Sequence, residues 1–159
     1  MNSENYILMM RESLEKKLEI LREIEQKNMD QQQVLLDPNA DPDEFEATVD
    51  AKASLIEELE KLDAGFENLF KEVEAELNTD KDKYKNEIRL MQELITSVTD
   101  VGAHIQSQEK TNYELAQEKF SNVRTQIQKV RSSQKAVDTY YRNMMQTDYD
   151  TPQFMDNKK

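Results

Sequence analysis

Residues 41–77 read DPDEFEATVDAKASLIEELEKLDAGFENLFKEVEAEL, and this stretch decides the fold class. Asp41 is a candidate N-cap. Pro42 falls at the first helical position, where its missing N–H is no loss, and Glu44 stands at capping-box spacing. Behind this start signal Phe45, Val49, Ile56, Leu59, Phe66, Leu69, Val73 and Leu77 recur at steps of three, four or seven, which places them on one face of a long helix. Gly65 lies inside the run and reads as a tolerated helix glycine, costing about 1 kcal/mol against alanine. The helix is expected to end near Asn78.

Working outward, the upstream segment carries Ile7, Met10, Leu14, Leu18, Leu21 and Ile24 at the same spacing. It turns polar over Asn28 to Gln33 and recovers at Val34 to Leu36. Asp37-Pro38-Asn39-Ala40 then stops it, because proline disfavours helix at the residue before it and cannot continue the hydrogen bonding. Downstream, Asn78-Thr79-Asp80 supplies a turn and a new N-cap. A third apolar series follows through Ile88, Met91, Leu94 or Ile95, Val98, Val101, Ile105, Leu115, Phe120, Val123, Ile127 and Val130. Its weak points are Gly102 and the polar patch Gln106 to Asn112, with Ser132-Ser133 as a candidate break. The expectation is an all-α protein: an antiparallel three-helix, coiled-coil-like bundle over residues 1–135, with helices at about 4–36, 42–78 and 81–135. Residues 136–159 are expected to form a partner-binding C-terminal helix and flexible tail.

Composition supports that class and excludes others. The chain has 159 residues, one domain by length, with 34% charged residues, 2 Gly and 3 Pro. So few turn residues do not make a sandwich or barrel. Two glycines cannot build a phosphate-cradling loop, and the absence of cysteine removes disulfides, thiolate metal sites and thiol nucleophiles. His104 is the single histidine, with Asp100 one turn before it, and a metal site needs three or four ligands. No catalytic, cofactor-binding or metal-binding residues are therefore assigned, and no enzyme or cofactor is expected. The formal charge of -12 speaks against nucleic acid as a partner. No stretch approaches a membrane span, and Met1 to Arg11 lacks the features of a signal peptide, so a cytoplasmic protein is expected.

Helix lengths add a further expectation. At about 1.5 Å per residue, a third helix continuous to Lys135 is roughly 80 Å long against roughly 55 Å for the second. Running back along helix 2, it passes the start of that helix near Lys119 and overhangs the bundle. The overhang carries the stripe Phe120, Val123, Ile127, Val130, Val137, Tyr141 and Met144, and an uncovered stripe of this length marks an interface. A second copy, a folded-back tail or a partner would cover it. Tyr140-Tyr141 and Met144-Met145 add side chains favoured at binding surfaces. Phe154, inside the polar tail, reads as an anchor for that tail. Charge is also uneven. Residues 1–80 hold 8 basic and 22 acidic side chains, whereas Lys119, Arg124, Lys129, Arg131 and Lys135 follow one another with no acid between Lys119 and Val137. That run reads as solvated flanks, or as guidance for an acidic partner segment.

The segment Ala51-Lys52-Ala53-Ser54-Leu55-Ile56-Glu57-Glu58-Leu59-Glu60-Lys61-Leu62-Asp63-Ala64-Gly65-Phe66, and the ending with Tyr140-Tyr141 and Pro152-Gln153-Phe154-Met155-Asp156-Asn157-Lys158-Lys159, resemble flagellar type III export chaperones of the FlgN family. The resemblance implies a cytoplasmic chaperone that holds hook–filament junction proteins unpolymerised by masking a helical terminal segment, and that delivers them to the export gate. It implies that the C-terminal helical region binds the client, here through Phe120, Val123, Ile127, Val130 and Val137. It also implies a gate-docking role for Tyr140 or Tyr141, a choice the sequence leaves open. A homodimer through the C-terminal helix is a further candidate partner. The competing readings are a homo-oligomeric coiled-coil scaffold and a filament-cap chaperone of the FliT type.

Overall fold

The computed structural model describes residues 2–146, which form four helices: α1 (Ser3–Leu36), α2 (Pro42–Thr79), α3 (Lys85–Phe120) and α4 (Arg124–Gln146). The all-α bundle expected from the sequence is what the chain forms. The start of α2 is built as its residues dictate. Asp41 accepts from the Asp43 backbone N–H at 3.0 Å, with Pro42 in the first turn. The α1–α2 connection is tied by Asp37, whose carboxylate accepts from the Asn39 N–H at 2.9 Å. Gly65 has no positive φ, and a methyl group added there would meet nothing within 4 Å, so α2 runs straight through it.

Cross-helix contacts fix the directions. Lys17 to Asp63 and Gln31 to Thr48 pair α1 antiparallel to α2, while Arg11 to Glu87 and Asn112 to the Asn28 carbonyl pair α1 parallel to α3. Lys129 with Glu46 and Tyr140 with Asp63 pair α4 parallel to α2. The helices thus alternate up, down, up, down, and α4 packs on α3 and α2.

Two features differ from the sequence expectation. The third helix does not continue to Lys135 and does not overhang. It ends at Phe120, the chain reverses over Ser121–Val123, and α4 runs back along α3 without interruption across residue 135. The apolar stripe is the physical reason. An overhanging helix would leave Val130, Val137 and Tyr141 in water, and folding back buries all three. Second, the N-cap of α3 is Tyr84 rather than a residue of the Asn78–Asp80 turn. Tyr84 is buried and donates its hydroxyl to Glu76 Oε1 at 2.7 Å, so the connection is pinned by an aromatic rather than by a capping side chain.

The core forms three apolar clusters along the bundle. One end holds Ile7, Met10, Leu14, Val73, Leu77, Tyr84, Ile88 and Met91. The middle holds Ile20, Leu21, Ile24, Ile56, Leu59, Val98 and Ile105, joined by Val137, Tyr140 and Tyr141 of α4. The far end holds Leu35, Phe45, Ala116 and Phe120, joined by Val130. Among the described residues α4 contributes to the second and third clusters and not to the first. The tail from residue 147, including Phe154, lies outside the described residues.

Candidate functional site

The site the sequence singles out is the apolar stripe of α4, and the turn before it sets its position. Ser121 keeps helical torsions, φ -54° and ψ -30°. The Val123 N–H donates to the Phe120 carbonyl at 2.9 Å, and the Ile127 N–H to the Val123 carbonyl at 3.0 Å. Three residues therefore suffice to reverse the chain, with no glycine, no proline and no positive φ.

The stripe divides along its length. Phe120, Val130, Val137, Tyr140 and Tyr141 are buried, Ile127 and Met144 are half-buried, and Val123 is 45% exposed. The structure brings seven of these eight residues onto the chain's own bundle and leaves Val123 at the surface. Phe120 meets Phe45 with ring centroids 5.2 Å apart. At the start of α4, Lys129 pairs with Glu46, and that hydrogen bond holds the Glu46 carboxyl below the usual carboxylate range. Near its end, Tyr140 donates to Asp63 Oδ2 at 3.1 Å, while Asp63 Oδ1 takes Lys17 Nζ at 2.7 Å. Asp63 thus ties α1, α2 and α4 together. Burial, with the Asp63 charge beside it, pushes the Tyr140 phenol well above its ordinary range. Burial does the same for Tyr141, with Glu109 adding to it.

Beneath α4 lies a feature that the sequence reading did not assemble. Lys52 Nζ, on a side chain almost fully removed from solvent, donates to Glu109 Oε1 at 2.9 Å, to Glu109 Oε2 at 2.8 Å and to Gln31 Oε1 at 3.0 Å. Asn112 Nδ2 donates to the same Gln31 oxygen and to the Asn28 carbonyl, each at 3.0 Å. Gln31 Nε2 continues to Thr48 Oγ1 at 2.9 Å. This polar layer is closed by α1, α2 and α3 alone, and among the described residues α4 gives it no hydrogen bond. Instead α4 lays the ring of Tyr141 nearby with its hydroxyl buried and unpartnered. The signal was present in the sequence. Lys52 stands midway between Phe45 and Leu59 at heptad spacing, and the polar interruptions at 28–33 and 106–112 are level with each other on parallel helices.

His104 is exposed and its Nδ1 pairs with Glu25 of α1, rather than with Asp100. No group of three or more His, Asp or Glu suited to a metal ion occurs among the described residues. No helix among them is long and apolar enough to cross a membrane.

A four-helix bundle whose last helix is held by one amphipathic face is an architecture that packs helix on helix. The comparisons agree: the family model described as FlgN protein matches residues 9–147. The chain belongs to the FlgN family and is a flagellar export chaperone. No curated protein and no solved structure matches it.

Proposed function

We propose that this chaperone acts in the cytoplasm on hook–filament junction proteins, holds their helical terminal segment so that they do not polymerise, and delivers them to the export gate. The observation that carries the proposal is the way α4 is attached. Ile127, Val130, Val137, Tyr140, Tyr141 and Met144 of α4 continue the apolar stripe from Phe120 at the end of α3, and they rest on a three-helix unit whose polar layer takes no hydrogen bond from α4 among the described residues. Lifting α4 therefore leaves no buried hydrogen bond of that layer broken, and presents the stripe to an amphipathic client helix. The gain from covering the stripe is the same in kind whether the cover is the bundle or the client. Client binding thus competes with the closed form, and its apparent affinity is set by how often α4 is open.

The test uses the absence of cysteine in the chain. Glu46→Cys and Lys129→Cys replace an existing ion pair between α2 and α4. A short bismaleimide between the two thiols locks α4 in place. The unlinked double variant is expected to bind the C-terminal region of a hook–filament junction protein from the same organism in a 1:1 complex, and the linked form to lose that binding at least tenfold. Equal binding by both forms would remove the stripe from the interaction. Binding by neither, with the unmodified chain also inactive, would remove the client.

A further inference from the structure

We propose that α4 exchanges between two copies of this chain, so that the four-helix bundle has a domain-swapped dimer as its alternative form. The inference rests on the hinge and the seat, and is independent of the client reading. Three observations carry it.

First, the reversal at 121–123 is made of residues that a helix accepts. Ser121 already holds helical torsions, and Ser-Asn-Val contains neither of the two residues that break helices. The apolar spacing accordingly runs across the hinge in register: Phe120, Val123, Ile127 and Val130 fall at steps of three and four. Straightening the turn joins α3 and α4 into one helix over 85–146, roughly 90 Å long.

Second, the seat that α4 leaves can only stay dry if a helix of the same pattern refills it. Phe45, Ile56, Leu59, Val98 and Ile105 would otherwise face water. The α4 of a second straightened copy carries the matching residues, including Lys129 for Glu46 and Tyr140 for Asp63.

Third, the directions close. In one molecule α4 is antiparallel to α3, as consecutive helices of an up–down bundle are. Two straightened α3–α4 helices laid antiparallel about a two-fold axis at the hinge therefore put each α4 on the other copy's α3, as in the monomer. A closed isologous dimer results, and every α4 contact is kept. The balance between the forms is set by the hinge and by concentration, because the packed faces are identical in both.

Arg124→Pro tests the hinge. Residue 124 is the first of α4, a position where proline is favoured, whereas in a continuous helix the same proline would lose a hydrogen bond and clash with the preceding turn. Ser121→Ala/Asn122→Ala acts in the opposite sense by raising helix propensity. Single variants Glu46→Cys and Lys129→Cys are mixed at high concentration, equilibrated, diluted and treated with the short bismaleimide, and mass is followed by light scattering. A covalent dimer joining residue 46 of one copy to residue 129 of the other is expected. The alanine pair should raise the dimer association constant on the order of tenfold or more, and Arg124→Pro should abolish the link while retaining helix content and thermal stability. A chain that stays monomeric throughout, as it would if only a client helix ever fills the seat, overturns the proposal. So does a dimer without the 46–129 link, or a link that survives Arg124→Pro. Retained client binding in Arg124→Pro would leave the chaperone reading intact whichever way the dimer falls.

Discussion

Tyr140 and Tyr141 meet edge to face, ring centroids 5.1 Å apart at 84°, yet their hydroxyls have opposite surroundings. Tyr140 reaches Asp63, while the Tyr141 hydroxyl is buried with no partner. Neighbours in sequence, they separate into an anchored and an unanchored phenol. Tyr140→Phe is therefore expected to destabilise the fold by about 1–2 kcal/mol, because it removes a hydrogen bond to a charged acceptor, which keeps Lys17 as its other partner. Tyr141→Phe keeps the ring and removes an unsatisfied group, so stability should be unchanged or higher by up to about 1 kcal/mol. Urea denaturation of both variants checks this, and equal losses would refute the distinction.

The same two residues give the protein an alkaline limit. Burial raises both phenols in the folded state, Tyr140 with Asp63 adding to it and Tyr141 with Glu109. In the unfolded chain both titrate near the ordinary value of about 10. The folded state then holds its protons more tightly, so the contribution is constant below that pH and is lost as pH rises above it. Between about pH 10 and 12, stability should fall, and phenolate absorbance from these two residues should appear together with release of α4. Tyr140→Phe/Tyr141→Phe should move the transition to higher pH. Phenolate absorbance from both residues before any change in helix content would contradict this.

The buried pair Lys52–Glu109 predicts a non-additive cycle. Either single change, Lys52→Met or Glu109→Met, leaves one charge in the core without its partner and should cost about 3–5 kcal/mol. The double change removes both charges together and should recover most of that loss, with Gln31 and Asn112 still bonded to each other. Denaturant midpoints of the four proteins decide it. Additive losses would mean that the pair does not act as a unit.

How far the sequence revealed this architecture differs from element to element. Asp41-Pro42 and the 3–4–7 spacing of α2 act locally, through capping and one apolar face, and could be read from the chain alone. The reversal at Ser121–Val123 could not, because nothing in those three residues demands a turn. It is imposed by what Val130, Val137 and Tyr141 gain on reaching Phe45, Ile56 and Val98, a tertiary effect that local propensity does not encode. The stripe itself was legible, and so was its need for a cover. That the chain supplies the cover itself depended on helix directions. The polar layer failed to appear for a related reason. Lys52, Glu109 and Gln31 are ordinary surface residue types one at a time, and only the alignment of three helices makes them one buried group.

The stripe also predicts how α4 comes off. Val123 and Val137 belong to the same series in sequence, but Val123 is 45% exposed and Val137 is 2% exposed. Val123→Asp should leave stability within about 0.5 kcal/mol of the starting chain. Val137→Asp places a carboxylate in the apolar middle cluster with Ile56 and Val98, and burying a charge there is costly. The low-cost response is local, because α1–α3 supply the hydrogen bonds of the polar layer and, among the described residues, the end cluster of Ile7, Leu77 and Tyr84 includes none from α4. Hydrogen exchange of Val137→Asp should therefore show amides 124–146 exchanging fast, while those around Met10, Val73 and Met91 stay protected. Uniform loss of protection would instead mean that α4 and the other three helices fold as one unit, and that the closed bundle cannot open one helix at a time.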